Sequence, residues 1–461
     1  MAGYIVAVIE ADDPAGFAAY RAAALPVVAR YGGRSLLHGT QHVRLEGAWA
    51  PQRVVVLAFG SAEQARAFYD SPEYRAVRPL RERAAHTDML LFEGPPTPRL
   101  QTPLCAQLGI TLPIIQAGMG VYRGLVTTPE LVAAVSETGA LGCLGGSGLT
   151  PEELRTAIRA VRALTDRPFG VDLLLPASLS RQAGTRAAIR AGIAEQYPAH
   201  HAFVATLFAR FGLAPTTIDM AHALTPELTD AQAAVVLEAR VPLLVIGLGD
   251  PGRFADTAHA RGMQVAGLAG SVRQALRQRA AGVDFVIAQG TEAGGHVGSV
   301  ATLPLVPQVV DAVRPCPVVA AGGIADGRGL AAALMLGAEA VWCGTAFLFA
   351  DEAALHPRQR AELQGASAED FAATRIYTGK TARTFRNEIH RLWEASGLQP
   401  LGMPHQKVLM DDFLDAARRA GRLEVVSNPA GQIAGMLRET APAAQIVRRM
   451  ADQAAACLGS V

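Results

Sequence analysis

PVVAAGGIADGRGLAAALMLGAEAVWCGTAF, residues 317–347, sets two short strands, PVVAA and AVWCG, on either side of a helical stretch over 327–337, and both strands run into glycine. Each strand is apolar on both faces, as a parallel strand must be when helices cover one side and a closed core fills the other. Outward toward the N-terminus the same alternation recurs: PIIQA, a helix over 129–138, ALGCLG, a helix over 151–164, PFGVDLLL, an inserted helical stretch over 179–239, and PLLVIG. A helix over 251–261, MQVAGLA, a helix over 271–281, DFVIA and a helix over 303–313 lead back to the quoted segment. The strands number eight. A doubly wound open sheet alternates in the same way. The even count, and the glycines ending the seventh and eighth strands, instead predict an α/β fold of the (β/α)8 TIM-barrel type over 104–350, in which the loops after those strands commonly hold a phosphate.

A chain of 461 residues exceeds the roughly 250 of such a barrel, so further domains are expected. From residue 4 to 93 the order is strand (YIVAVIE), helix (Asp13 to about Arg30), strand (RSLLHG, extending toward VRLEG), strand (RVVVLAFG), helix (Ala62 to Tyr69) and strand (DMLLFEG). This β-α-β-β-α-β order predicts an α+β ferredoxin-like domain over 1–94, with both helices on one face of the sheet. The other face needs a cover, and a second copy of the domain would supply it, so a homodimer is expected. YIVAVIEADDPAGFAAYRAAALPVVARYGGRSL, with EYRAVRPLRERAA downstream, resembles a small family of dimeric α/β-barrel proteins of unassigned function, related in fold to antibiotic-biosynthesis monooxygenases. His38 and His42 stand near strand ends, where a lone histidine is more often solvated than catalytic, and they receive no role. The proline-rich GPPTPRLQTP predicts a stiff linker over 95–103, and residues 351–461 read as a helical C-terminal extension that packs beside the barrel and closes over its rim.

With 42 Lys and Arg against 41 Asp and Glu, the net charge of +1 provides no global field for nucleic acid or an anionic membrane surface. A small-molecule substrate is expected. The N-terminus MAGYIVAVIEADD lacks the basic start of a signal peptide, and no apolar run reaches the ~20 residues of a membrane span, which predicts a cytoplasmic protein. Cys105, Cys143, Cys316, Cys343 and Cys457 form no C-x-x-C pair and read as reduced core residues.

In a barrel, chemistry sits on the loops that follow the carboxyl ends of the strands. The sixth-strand loop, AQGTEAGGHVGS (288–299), places Gly290, Gly294, Gly295 and Gly298 around Glu292 and His296. Glycines allow the backbone to approach a flat ligand, and His296 is the loop's proton-transfer group at neutral pH. AAGGIADGRG (320–329) and CGTAF (343–347) offer Gly322, Gly323, Gly344 and Thr345 to a phosphate, helped by the positive end of a helix starting near Thr345. GLGDPG (247–252) matches G-x-G-x-x-G, but Pro251 removes a donor and no acidic ribose partner ends the next strand, so it reads as the fourth barrel loop. No clustered metal ligands and no phosphate-transfer, zinc-hydrolase or serine-hydrolase motif are present in the sequence.

PIIQAGM, TPELVAAVSETGALGCLGG, RPFGVDLLLP, QGTEAGGHVG, AAGGIADGRGLAAALMLGAEAVWCGTAFL and YTGKTARTFRN, in this order, resemble nitronate monooxygenases, formerly called 2-nitropropane dioxygenases, over roughly residues 104–390. The resemblance implies non-covalent FMN surrounded by Ala117, Gly118, Met119, Asp172, Gln289, Gly294, Gly295, Gly323, Trp342, Cys343, Gly344 and Thr345, to which the loop composition adds Gly290 and Gly322 as cofactor-binding positions, with His296 as the active-site histidine. It implies that a nitro compound and dioxygen react at the flavin to give a carbonyl compound and nitrite, without a metal. Gly118 stands where the family often has proline, and Asp172 where asparagine is usual. Other readings are an NAD(P)H-dependent FMN reductase of enoyl thioesters or quinones, and a non-catalytic flavin-binding or ligand-sensing protein.

Overall fold

The computed structural model describes residues 2–39, 43–94, 100–121, 124–176, 185–218 and 220–458. It divides into two compact units, Met1–Arg99 and Leu100–Val461. The side chain of His38, all of His42, linker residues 95–99 and the start of the expected insertion fall outside the described residues.

In the first unit, β1 (Ala2–Ala11), α1 (Pro14–Arg30), β2 (Arg34–Gly39), β3 (Arg53–Phe59), α2 (Ala62–Tyr69), α3 (Pro72–Ala84) and β4 (Ala85–Gly94) follow in chain order. The sheet is antiparallel with order β2-β3-β1-β4, the ferredoxin-like arrangement. EYRAVRPLRERAA belongs to a helix of its own, α3, because Ser71 accepts the Tyr74 N–H and Pro72 opens the first turn. The second crossover therefore contains two helices. The VRLEG continuation is not a strand: residues 43–47 have no regular structure, and Val43 and Leu45 are exposed. Period-two alternation sends Ile5, Ala7, Ile9 and Val55 into the core against Phe17, Val28, Phe68 and Tyr74 of the helices.

In the second unit, β5 (Ile114–Gln116), the small hairpin β6–β7 (Gly120–Val121, Gly124–Leu125), β8 (Leu141–Gly145), β9 (Phe169–Leu174), β10 (Leu243–Gly247), β11 (Gln264–Ala269), β12 (Phe285–Gln289), β13 (Gly295–His296), β14 (Val318–Ala321), β15 (Ala340–Cys343), β16 (Phe371–Thr374) and β17 (Ala382–Phe385) follow. β10-β11-β12-β14-β15-β5-β8-β9 close into a parallel barrel. These are the eight strands expected. Ile115, Cys143, Val245, Ile287 and Val319 point inward and are fully buried with Phe285 and Leu104, the latter from the short helix Pro103–Leu108. Their neighbours Ile114, Leu144, Leu244 and Val286 face the surrounding helices. Truncating one of these leucines or isoleucines to alanine would cost about 2–5 kcal/mol, since a close-packed core collapses only partly around a cavity.

Two boundaries differ from the reading of the sequence. Of the stretch 179–239, Arg186–Gln196 and Pro198–Arg210 are the insertion, whereas Pro226–Glu238 packs on the barrel as the helix between β9 and β10. The eighth outer helix does not follow β15 directly; it is Ala443–Leu458, which packs on the helices Gly327–Met335 and Pro129–Ser136 and buries Ile446, Val447, Met450 and Ala454. The C-terminal segment is thus an excursion between the last barrel strand and its helix. Besides its helices it carries β16 and β17, which join β13 in a three-stranded sheet of order β13-β17-β16. Its helices pack on the insertion through Ile189, Ile193 and Leu207 against Trp393, Met410 and Phe413, and Arg186 meets Asp411 at 3.0 Å.

Candidate active site

A cavity of about 1320 Å³ opens at the carboxyl ends of the barrel strands. Ala117, Gly118 and Met119 after β5, Asp172 on β9, Gln289 at the end of β12, Gly294, Gly295 and His296 beyond it, Gly322 and Gly323 after β14, and Trp342–Thr345 around the end of β15 all line it. Gly290 does not. A Cβ there would overlap the Thr302 hydroxyl, so this glycine serves packing rather than ligand approach. Thr302 is held by Glu292, whose carboxylate accepts the Thr302 N–H at 3.0 Å and the hydroxyl at 3.0 Å, capping the helix Thr302–Val313.

The remaining glycines separate by what surrounds them. A side chain at Gly294 would meet the Ala430–Gly431 backbone, and one at Gly118 would meet the Asp172 Cβ and the Leu144 carbonyl. Gly322 and Gly323, with φ of +93° and +71°, hold a turn that L-residues rarely adopt. They present the adjacent-glycine backbone expected for a phosphate cradle. The helix expected to begin near Thr345 is a five-residue 3₁₀ turn, Thr345–Phe349, too short to supply an α-helical dipole. The Thr345 hydroxyl accepts the Gly431 N–H at 2.9 Å, and its hydrogen remains available to a ligand. Thr127 fixes the loop after β5 by donating to the Met119 carbonyl at 3.1 Å and accepting the Gly145 N–H at 2.8 Å.

Asp172 is paired in register with Val245 and Gly145 and takes an inward position near the top of the barrel. Among the described residues its buried Oδ1 has no hydrogen-bond partner, and burial pushes the carboxyl up to about 7. A carboxyl raised by burial and turned into a cavity is characteristic of a ligand site.

His296 lies on β13, and Gln289 Nε2 donates to its carbonyl at 2.6 Å. Burial, reinforced by the positive charges of Lys407 and Lys380, pushes the imidazole down to about 4, so the ring is neutral at physiological pH. Its Nε2 lies 3.0 Å from the Thr378 hydroxyl. Thr378, Lys380, Arg375 and Tyr377 line the cavity from the C-terminal excursion, as do Ser427, Pro429 and Gly431. YTGKTARTFRN carries Tyr377, Thr378 and Lys380, and its TGK turn was the available signal; no local pattern marks Arg375 or the second group. GLGDPG follows β10 as the fourth barrel loop, where a side chain at Gly249 would strike the Leu175 carbonyl. Among the described residues, no group of three or more His, Cys, Asp or Glu is placed to hold a metal ion.

Fold and cavity define a (β/α)8-barrel enzyme with its chemistry at the carboxyl ends of the strands. The sequence family described as nitronate monooxygenase matches residues 101–453, and a domain of unknown function, DUF1330, matches residues 2–95. A Mycobacterium tuberculosis protein provisionally named a monooxygenase is 37% identical over 342 residues, 70% of this chain and 90% of the relative. A Staphylococcus saprophyticus protein, provisionally named a nitronate monooxygenase, is 36% identical over 64% of this chain and 82% of its own length. Among solved structures, nitroalkane oxidase from Streptomyces ansochromogenes is 31% identical with a TM-score of 0.66, covering 77% of this chain and 99% of that one. FabK from Thermotoga maritima is 32% identical with a TM-score of 0.61, covering 78% and 98%. The chain belongs to the nitronate monooxygenase family, a family of flavin-dependent oxidoreductases.

Proposed function

We propose that this protein binds FMN in the barrel cavity and oxidises a nitronate or nitroalkane with dioxygen to a carbonyl compound and nitrite. The observation that carries the reading is His296, a neutral imidazole on the cavity wall among the glycine-bearing strand ends. The cavity fits a flavin phosphate and ring: Gly322 and Gly323 form a positive-φ cradle, and Asp172 offers an orphaned buried carboxyl to a polar ring edge. When bound, FMN supplies the redox chemistry, accepting electrons from the nitronate and passing them on to dioxygen.

Backbone N–H groups of Gly322, Gly323, Gly344 and Thr345 would hold the phosphate, while Ala117–Met119, Asp172 and Gln289 would border the ring. Gly294 and Gly295 leave room beside His296. For a neutral nitroalkane, His296 removes the α-proton; for a preformed nitronate that step falls away, and Lys380 in the same wall supplies positive charge to the anion. Reduction of an enoyl thioester or quinone by NAD(P)H is the second reading. The cavity volume of about 1320 Å³ exceeds the roughly 300–1,000 Å³ of a pocket for one small ligand and leaves room beside a flavin for a second molecule under either reading.

The test is anaerobic reduction of the purified flavoprotein, with a nitronate in one cuvette and NADH or NADPH in another. Bleaching by the nitronate alone, with nitrite released on admitting air, is the expected outcome. Rapid bleaching by the nicotinamide alone would transfer the protein to the reductases.

We also propose a homodimer built through the first unit and a cytoplasmic location. Supporting the dimer, the face of the sheet opposite the helices carries Tyr4, Val6, Val8, Val54 and Val56, with Leu90 and Phe92 62% and 49% exposed. Five unpaired thiols accord with a reducing compartment.

A further inference from the structure

We propose that Thr378 selects the tautomer of His296, keeping the ring proton on Nε2 and leaving Nδ1 as the atom that takes a proton from substrate. The tautomer assignment stands on hydrogen bonding alone; the proton-accepting role of Nδ1 rests on the reading of His296 as the active-site base.

Three groups converge on the Thr378 hydroxyl: His296 Nε2 at 3.0 Å, the Lys380 carbonyl at 3.2 Å and the Lys380 N–H at 3.3 Å. A hydroxyl has one hydrogen to donate and two lone pairs to offer. Donation to the Lys380 carbonyl, with acceptance from Lys380 N–H and His296 Nε2–H, satisfies all three neighbours at once. The opposite tautomer would spend that hydrogen on Nε2 and leave the Lys380 carbonyl without its donor, an arrangement that half-buried polar groups avoid. Nδ1 has no partner among the described residues, and His296 lines the cavity, so its lone pair is available to a ligand.

The geometry is held by backbone on both sides. β13 pairs antiparallel with β17, His296 opposite Ala382, and the Val297 N–H donates to the Thr381 carbonyl at 3.1 Å. The turn bearing Thr378 is pinned again at Gly379, whose φ is +80° and where a side chain would strike the Met403 N–H. Thr378 is a positioning residue: it acts on substrate through the ring it orients.

The experiment is ¹⁵N NMR of histidine-labelled, FMN-loaded protein, with His296→Asn identifying the His296 signals, for the native chain, Thr378→Val and Thr378→Ser. The native protein and Thr378→Ser are expected to show an Nε2–H tautomer, and Thr378→Val a mixture or the Nδ1–H form. In turnover, Thr378→Val should lose about 10- to 100-fold in kcat/KM for a neutral nitroalkane, the scale on which removing the partner that orients a functional histidine costs activity, stay within about threefold for the preformed nitronate, and be rescued by Thr378→Ser. An Nδ1–H tautomer in the native protein would overturn the proposal, as would a tautomer unchanged in Thr378→Val. If Thr378→Val does not fold, the native and serine spectra still decide it. An Nε2–H tautomer in a protein that oxidises no nitro compound would uphold selection by Thr378 and sink the nitro-compound reading instead.

Discussion

The Asp172 carboxyl occupies an inward barrel position whose register partners on the neighbouring strands are Gly145 and the core residue Val245. Among the described residues the Cys143 thiol is pushed up by burial and by Asp172, and no cation offsets the carboxylate. The consequence for stability has a definite sign. In the unfolded chain the carboxyl ionises near 4, whereas in the folded protein it holds its proton to about 7. Between those values the folded state binds more protons, so stability falls as pH rises toward 7 and stays low above it. Asp172→Asn should therefore stabilise the cofactor-free protein at pH 8 by up to about 4 kcal/mol, at roughly 1.4 kcal/mol per pKa unit, and by nothing near pH 4. Urea titrations of both proteins at the two pH values check this; an equal difference at both would remove ionisation as the cause. His296 is shifted in the opposite sense and stays neutral down to about pH 4, so the base form is present throughout the working range.

At the scale of elements, the glycine-rich loop after β12 divides between architecture and site. Gly290 exists to admit Thr302, and Gly294 to admit the Ala430–Gly431 backbone. Gly295 has open space around it and a φ of +72°. Gly290→Ala is expected to cost about 1–3 kcal/mol by overpacking against the start of the helix Thr302–Val313, while flavin is still bound one to one. Denaturant midpoints and flavin absorbance of the purified variant measure both. Loss of flavin without loss of stability would return Gly290 to the cofactor contacts. The same loop becomes a strand, β13, only because β17 arrives beside it.

At the scale of the whole molecule, the last helix of the chain, Ala443–Leu458, completes the outer ring, so the sequence between β15 and that helix is free to build the far wall of the cavity. The first unit has its own core, and its open sheet face places Tyr4 beside Phe92 and Val6 beside Leu90 and Val56. Exposed apolar surface of that kind marks an association site. Phe92→Glu should convert a dimer into a monomer in sedimentation without changing flavin content; a native chain that sediments as a monomer would remove the dimer.

The amino-acid pattern by itself determined the barrel strands, the ferredoxin-like order and the glycine-bearing turns that line the cavity, because two-residue and 3.6-residue periods and turn chemistry are local properties of the chain. It also singled out His296, from its place at a strand end. Tertiary structure alone decided that Gly290 is a packing residue, that Asp172 Oδ1 has no hydrogen-bond partner among the described residues, that the eighth outer helix is Ala443–Leu458, and that Thr378 meets His296 across 82 residues of sequence. Each of those depends on which atoms of distant segments share a few ångströms of space, and no local period records that.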